Sequence, residues 1–226
     1  MQYRHFLFDL DDTLLDFRAS ERLSFQRTLS EMGIDLPLAP LHAIYQRENA
    51  KLWRLLEQGG IDKETLKTER FRLTFAEAGI DADATAAAHH YLQFLPETVV
   101  LIEGAEALCK LLSSIGEIGI ITNGIESVQS RRIARSGLAD MLSFVATSEA
   151  CGHAKPDVRF FEYSASRFKG FNKAQALIVG DRLEADILGG NRYGIHSCWF
   201  NRYDEANSSE AVPTYTVKHL AEVAAL

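Results

Sequence analysis

Three aspartates crowd into four positions of FLFDLDDTLLD, residues 6 to 16, where Asp9, Asp11 and Asp12 directly follow an apolar run. At an effective dielectric of ~20, two like charges 4 Å apart repel by roughly 4 kcal/mol, so such crowding at the end of a buried segment needs a reason. Further along the chain stand Thr122-Asn123-Gly124, then Lys155-Pro156, then GDRLEADI with Asp181 and Asp186. If the fold gathers them, Asp9, Asp11 and Asp181 form an all-oxygen set that suits Mg²⁺, a cation that keeps waters and also binds substrate phosphate. Asp9 can then attack phosphorus, since carboxylates act as nucleophiles in aspartyl-phosphate chemistry. Asp11, two residues on, points to the same side of an extended chain. It can give a proton to the leaving oxygen and later take one from the attacking water. Thr122 and the backbone N–H groups of Asn123 and Gly124 are candidates to hold phosphoryl oxygens, and Lys155 adds a positive charge where the transition state is anionic. Taken singly, each of these residues has an ordinary reading as a cap, a strand-end hydroxyl or a solvated lysine. For Asp12 that reading is preferred: it shapes the turn out of the strand, with Thr13 in support.

The elements that must position these groups follow from periodicity. HFLFDL (5 to 10), EIGIIT (117 to 122), FVATS (144 to 148), ALIVG (176 to 180) and HSCWF (196 to 200) are short apolar, β-branched or aromatic runs that read as buried strands, with YTV (215 to 217) at an edge. Helical patterns over 105–115, 127–136, 159–168 and 186–193 alternate with them, which predicts a Rossmann-like three-layer α/β/α parallel sheet. Residues 18–95 break the alternation. They carry only helix-type patterns, at 20–32, 41–58, 63–78 and 82–95, punctuated by Gly33, Pro37, Pro40, Gly59-Gly60 and Gly79. The expected organisation is a core domain from 1–17 plus 96–226, with an inserted all-helical cap domain over 18–95. Ligands of open parallel sheets bind outside the carboxyl ends of the strands, and all four polar signals fall at or just after such ends.

Composition narrows the partners. The 226 residues hold 24 Lys and Arg against 31 Asp and Glu, a net charge of −7. That balance argues against a nucleic acid polymer, which proteins meet with clustered basic residues, while leaving room for a small phosphate ester. No run approaches the ~18 apolar residues of a membrane span, Asp9 interrupts the opening apolar stretch, and Cys109, Cys151 and Cys198 lack CxxC spacing. The expectation is a soluble cytoplasmic protein with reduced thiols. Its oligomeric state is not readable.

DLDDT (9 to 13), ITNG (121 to 124), AKP (154 to 156) and GDRLEAD (180 to 186) resemble, in order, the four motifs of the haloacid dehalogenase-like hydrolases. The resemblance covers essentially the whole chain, the cap inserted after the first motif included. It implies a Mg²⁺-dependent phosphatase with Asp9 as nucleophile, Asp11 as acid/base and Asp181 as metal ligand. Asp186 is implied as a supporting carboxylate that holds Lys155 or a metal-bound water. Within the family, dehalogenases and phosphonate hydrolases lack a carboxylate at the position of Asp11, so its presence implies phosphate esters.

Selectivity falls to the cap. Tyr45, Asn49, Leu52, Trp53 and Leu56 share a helical face, readable as a packing stripe or as a base-stacking surface with Asn49 beside it. Arg72, Arg18 and Phe17 are further candidates for contact with substrate. ENAKLW, GGI, ERF, IGIITNG, ADILGG, CWFN and PTYTV resemble, in order, the bacterial pyrimidine 5′-nucleotidases of this superfamily. That implies a nucleoside 5′-monophosphate substrate, with sugar-phosphate or broad-specificity hydrolysis as the alternative. A receiver-type phosphoacceptor switch also uses acids, a threonine and a lysine, but it is shorter, has its acceptor mid-chain and carries no cap. A catalytically silent binding protein sits poorly with a complete set of motif residues.

Overall fold

A computed structural model describes residues 2–226. Strand β1 (His5–Phe8) is followed by four helices, α1 (Phe17–Glu31), α2 (Leu38–Glu57), α3 (Lys63–Ala78) and α4 (Ala84–Phe94). Strands and helices then alternate: α5 (Ala105–Ser113), β2 (Glu117–Thr122), α6 (Glu126–Ser136), β3 (Phe144–Thr147), α7 (Ser148–Cys151), α8 (Val158–Ala165), β4 (Ala176–Gly180), α9 (Leu188–Tyr193), β5 (His196–Phe200), β6 (Tyr215–Val217) and α10 (Leu220–Val223). The chain divides into two compact units. One joins the segment ending at Phe17 to Val99–Leu226, and the other is Arg18–Thr98. Among the described residues no helix is long and apolar enough to cross a membrane.

The first unit is built on a six-stranded sheet, ordered β3-β2-β1-β4-β5-β6 with every pair parallel. Successive side chains of a strand point to opposite faces, and the apolar runs fill both. Phe6, Phe8, Ile118, Ile120, Leu177 and Val179 pack on one face with Leu108 and Leu112 of α5 and Leu220 and Val223 of α10. Leu7, Ile121 and Ile178 pack on the other with Phe160 and Phe161 of α8 and Tyr193 of α9. Helices on both faces explain why these strands read as continuous apolar runs rather than alternating ones.

Most boundaries shift by a few residues, and two of the shifts bear on the site. β1 stops at Phe8, not Leu10, because the chain turns through Asp12, whose φ of 58° lies in the left-handed region. The Asp12 carboxylate then accepts from the N–H of Phe17 at 2.9 Å, meeting one of the orphan donors at the start of α1. Before α9, residues Leu183–Ile187 form a π-turn in place of the simple helical start expected at Asp186.

The second unit is wholly helical. Asp62 and Asp83 cap α3 and α4 by accepting from Thr65 N–H at 2.7 Å and Thr85 N–H at 2.8 Å. Gly79, at φ 66°, closes α3. Its centre is aromatic, with Phe25, Tyr45, Phe71 and Tyr91 fully buried. On α2, Tyr45, Asn49 and Leu52 are buried, while Trp53 and Leu56 are partly exposed.

Candidate active site

Asp9 lies one residue past β1, yet its N–H continues the ladder onto the Val179 carbonyl at 3.0 Å, so its backbone is fixed by the sheet. The Lys155 ammonium reaches across to it. Nζ donates to Asp9 Oδ1 at 2.5 Å, to Asp186 Oδ1 at 2.7 Å and to the Ile121 carbonyl at 2.8 Å, which uses all three of its protons. Asn123 holds the backbone from which Lys155 projects: its Nδ2 donates to the Lys155 carbonyl at 3.1 Å and its Oδ1 accepts from the Lys155 N–H at 2.9 Å. The Asn123 side chain is therefore a brace for Lys155.

Asp186 is fully buried, and its second oxygen accepts from the Arg182 N–H at 3.1 Å. The π-turn projects this carboxylate back beneath β4, where a Cβ on residue 180 would collide with it; hence the glycine before Asp181. Asp181 is held three ways. Its N–H donates to Thr13 Oγ1 at 3.1 Å, its Oδ1 accepts from the Thr13 hydroxyl at 3.4 Å, and its carbonyl accepts from the Trp199 indole at 2.9 Å. One carboxylate oxygen from each of Asp9, Asp181 and Asp186 lies within 4.8 Å of the others.

Burial raises the Asp9 carboxyl to about 7; Asp186 and Asp11 push the same way, and Lys155 opposes them. Burial likewise raises Asp181 well above the usual carboxylate range, with Asp9, Asp186 and Asp12 adding to it. For Lys155, burial pulls the ammonium down, but Asp186 and Asp9 outweigh it and hold it above its ordinary value. Three carboxylates facing one ammonium leave excess negative charge in a dry site. A hard divalent cation with oxygen ligands fits both that charge and that donor set.

The Asp11 carboxylate lies outside the three-aspartate set, whereas the sequence reading counts it with Asp9 and Asp181. It turns to α6, where Arg132 donates to Oδ1 and Gln129 Nε2 donates to Oδ2 at 2.6 Å. A fully buried guanidinium needs a counter-charge, and Asp11 supplies it. Thr122 Oγ1 accepts from the Gly124 N–H and from Gln129 Nε2, each at 3.0 Å. Its own proton is left to point elsewhere, and the Gly124 N–H expected to hold phosphate is engaged within the loop.

Gln129, Arg132 and Trp199 were not singled out in the sequence. Trp199 reads simply as strand, and Gln129 and Arg132 lie on an ordinary amphipathic helix. Their spacing of three residues just after ITNG was the available signal.

In the helical unit, Asn49 Nδ2 donates to Glu21 Oε2 at 3.2 Å, and Asn49 Oδ1 accepts from Arg70 NH1 at 3.5 Å. Gln46 and His42 also reach Glu21, at 3.3 and 3.6 Å. Arg70 lies 4.5 Å from the centre of the Tyr91 ring. Glu21 and Arg70, both buried, form with Asn49 a polar cluster in which only Asn49 was anticipated. Arg72 is not part of it, because its guanidinium makes a two-pronged pair with Glu69 at the surface, both bonds 2.7 Å. Trp53 sits partly exposed on α2 and Arg18 is exposed on the first turn of α1. Phe17 places its ring 5.4 Å from the Arg132 guanidinium.

The chain is similar to several known proteins along nearly its whole length. Pyrimidine 5′-nucleotidase PynA of Streptococcus pneumoniae is 36% identical over 218 residues, covering 96% of this chain and 92% of that protein. Pyrimidine 5′-nucleotidase YjjG of Escherichia coli is 30% identical over 223 residues, covering 99% and 97%. A crystal structure of YfnB from Bacillus subtilis, bound to magnesium, superposes with a TM-score of 0.91 at 35% identity, covering 99% of this chain and 97% of that one. The family model of haloacid dehalogenase-like hydrolases matches residues 6–200. The chain belongs to the haloacid dehalogenase-like hydrolases.

Proposed function

We propose that this protein is a phosphomonoesterase of the cytoplasm that hydrolyses nucleoside 5′-monophosphates, with pyrimidine bases preferred. The observation that carries the phosphatase reading is the meeting of Asp9, Lys155, Asp181 and Asp186 at one end of the sheet, with Asp11 two residues beyond the nucleophile. The nucleotide reading is supported by the near full-length similarity to two pyrimidine 5′-nucleotidases.

In this reading an Asp9 oxygen bonds to phosphorus as the bond to the leaving oxygen breaks. The electron pair stays on that oxygen, which receives the proton of Asp11. Water then attacks the aspartyl phosphate and gives its proton to Asp11. The Asp9–phosphorus bond breaks, and phosphate leaves with Asp9 restored. The Thr122 hydroxyl holds an anionic phosphoryl oxygen, and the Lys155 ammonium, fixed by Asp186 and braced by Asn123, offsets the negative charge that develops beside Asp9. Asp9 and Asp181, with Asp186 beside them, are the residues to hold Mg²⁺. When bound, it neutralises the phosphoryl charge and orients the group for in-line attack. Asn49 of the helical unit, an amide offering both a donor and an acceptor, is the candidate for base selectivity.

The test is phosphate release from a panel of nucleotides and sugar phosphates, with Mg²⁺ and with chelator. Release from UMP, dUMP or dTMP well above the sugar phosphates, and only with the metal, is expected. Equal or better turnover of sugar phosphates sinks the nucleotide preference while leaving the phosphatase reading intact. Full activity under chelation sinks the metal requirement.

A further inference from the structure

Asp11 is held in an unusual way for a group that must exchange protons with substrate. Each of its oxygens has a donor from α6, Arg132 on Oδ1 and Gln129 on Oδ2. Gln129 has no freedom to choose its orientation. Its Nε2 also donates to Thr122 Oγ1 at 3.0 Å, and its Oε1 accepts from Arg132 NH1 at 2.9 Å. Both amide protons and the carbonyl are thereby assigned. Gly124 belongs to the same arrangement, since a Cβ there would collide with the Gln129 amide.

An ion pair whose guanidinium is fully buried is weak evidence for stability, because desolvation offsets much of the attraction. Arg132 is 0% exposed, and its Nε and NH2 have no hydrogen-bond partner among the described residues, so the guanidinium is far from optimally satisfied. Phe17 covers it at 5.4 Å. An apolar side chain would fill this volume without those unmet donors. What the arrangement does provide is a rigid link between two reacting groups. One amide nitrogen touches both the Asp11 carboxylate and the Thr122 hydroxyl.

We propose that Gln129 and Arg132 are positioning residues that fix the Asp11 carboxyl relative to Thr122, and so align proton transfer with the phosphoryl group that Thr122 anchors. Each carboxylate oxygen has a second lone pair, so the two α6 donors leave an acceptor site on each oxygen for the reaction. This inference rests on Asp11 being the acid/base of the proposed reaction.

The test compares two esters in Gln129→Ala, Arg132→Met, Arg132→Lys and Asp11→Asn. One is a nucleoside monophosphate, whose leaving oxygen needs a proton; the other is p-nitrophenyl phosphate, whose leaving group departs without one. Since acid/base catalysis contributes typically 10²–10⁴-fold, Gln129→Ala and Arg132→Met should lower kcat on the nucleotide by about 10- to 100-fold, and on p-nitrophenyl phosphate by about threefold or less. Arg132→Lys, which keeps the charge but not the fork, should recover part of the nucleotide rate. Equal losses on both esters, tracking a fall in Tm, would overturn the proposal and leave α6 a structural contact. If Arg132→Met does not fold, Gln129→Ala and Arg132→Lys still decide. Asp11→Asn separates the two levels of inference. If it fails to split the esters, the acid/base reading falls and this proposal with it. If it splits them and Gln129→Ala does not, only this proposal fails.

Discussion

The two units bury polar groups in different ways. In the sheet unit, Asp9 and Thr122 are buried at the ends of strands, and Lys155 and Asp186 reach them from the loop after α7 and the π-turn after β4. In the helical unit, Glu21, Asn49 and Arg70 meet because α1, α2 and α3 happen to turn those faces inward. A strand end is a place that sequence marks, with an apolar run stopping at a polar residue. A helix face is defined only after its neighbours are known. On the proposed function, substitutions in the sheet unit should be poorly tolerated and those in the helical unit graded in effect.

The sharpest break of that contrast would be an active Asp9→Asn variant. The expected result is a loss of turnover of about 10⁴-fold or more, as for other nucleophile removals. Tm should stay within a few degrees, since the change removes one of several crowded acids. Phosphate release and thermal unfolding check it.

Lys155→Met comes next. It leaves the carboxylates of Asp9 and Asp186 buried without their ammonium, and breaking such a pair costs about 3–5 kcal/mol, measurable by denaturant unfolding. A variant as stable as the parent would mean that the cluster is already neutral.

Magnesium links charge to pH. A carboxyl raised from 3.8 to about 7 prefers its proton in the folded state. Its contribution to metal-free stability is complete below the lower value and lost as pH rises through the upper one. A cation replaces the proton, so the rise in Tm on adding Mg²⁺ should be larger at pH 8 than at pH 5.5. A larger rise at the lower pH would remove Asp9 from the metal site.

Smaller effects test the helical side. Asn49→Ala should raise KM for a nucleoside monophosphate about tenfold, equivalent to about 1.4 kcal/mol, and by more than it raises KM for p-nitrophenyl phosphate. Arg72→Ala should change both by less than about twofold, because an exposed pair with Glu69 carries little energy. Reversed rankings for Asn49 and Arg72 would move base selectivity away from the Glu21 cluster.

The same contrast explains what the sequence made legible. β2, β4, β5 and β6 fall on the expected residues, since a strand buried on both faces leaves a continuous apolar run. Asp9, Thr122 and Asp181 could be picked out because each stands where such a run ends. Arg132 could not, because a buried arginine on an amphipathic helix looks like a solvated one until its counter-charge arrives from a segment over a hundred residues away. The π-turn before α9 was invisible too, since it follows from the path that Asp186 must take back to Lys155. That Arg70 rather than Arg72 joins the Asn49 cluster could not be read without knowing which way α3 is turned.

Where the chain leaves the sheet unit and returns to it, the two strands of passage are bonded to each other. The Asp16 N–H donates to the Val100 carbonyl at 2.8 Å, the Ile102 N–H donates to the Leu14 carbonyl at 2.9 Å, and Leu15 bridges Leu101 antiparallel. Topologically this is a hairpin whose loop is an entire domain. Because the mouth is closed by its own hydrogen bonds, and loop-closure entropy rises only about 0.6 kcal/mol per doubling of length, the sheet is indifferent to what the loop contains. The fold thus has a socket: whatever lies between Asp16 and Val100, the chain leaves and re-enters the sheet unit through one hydrogen-bonded mouth.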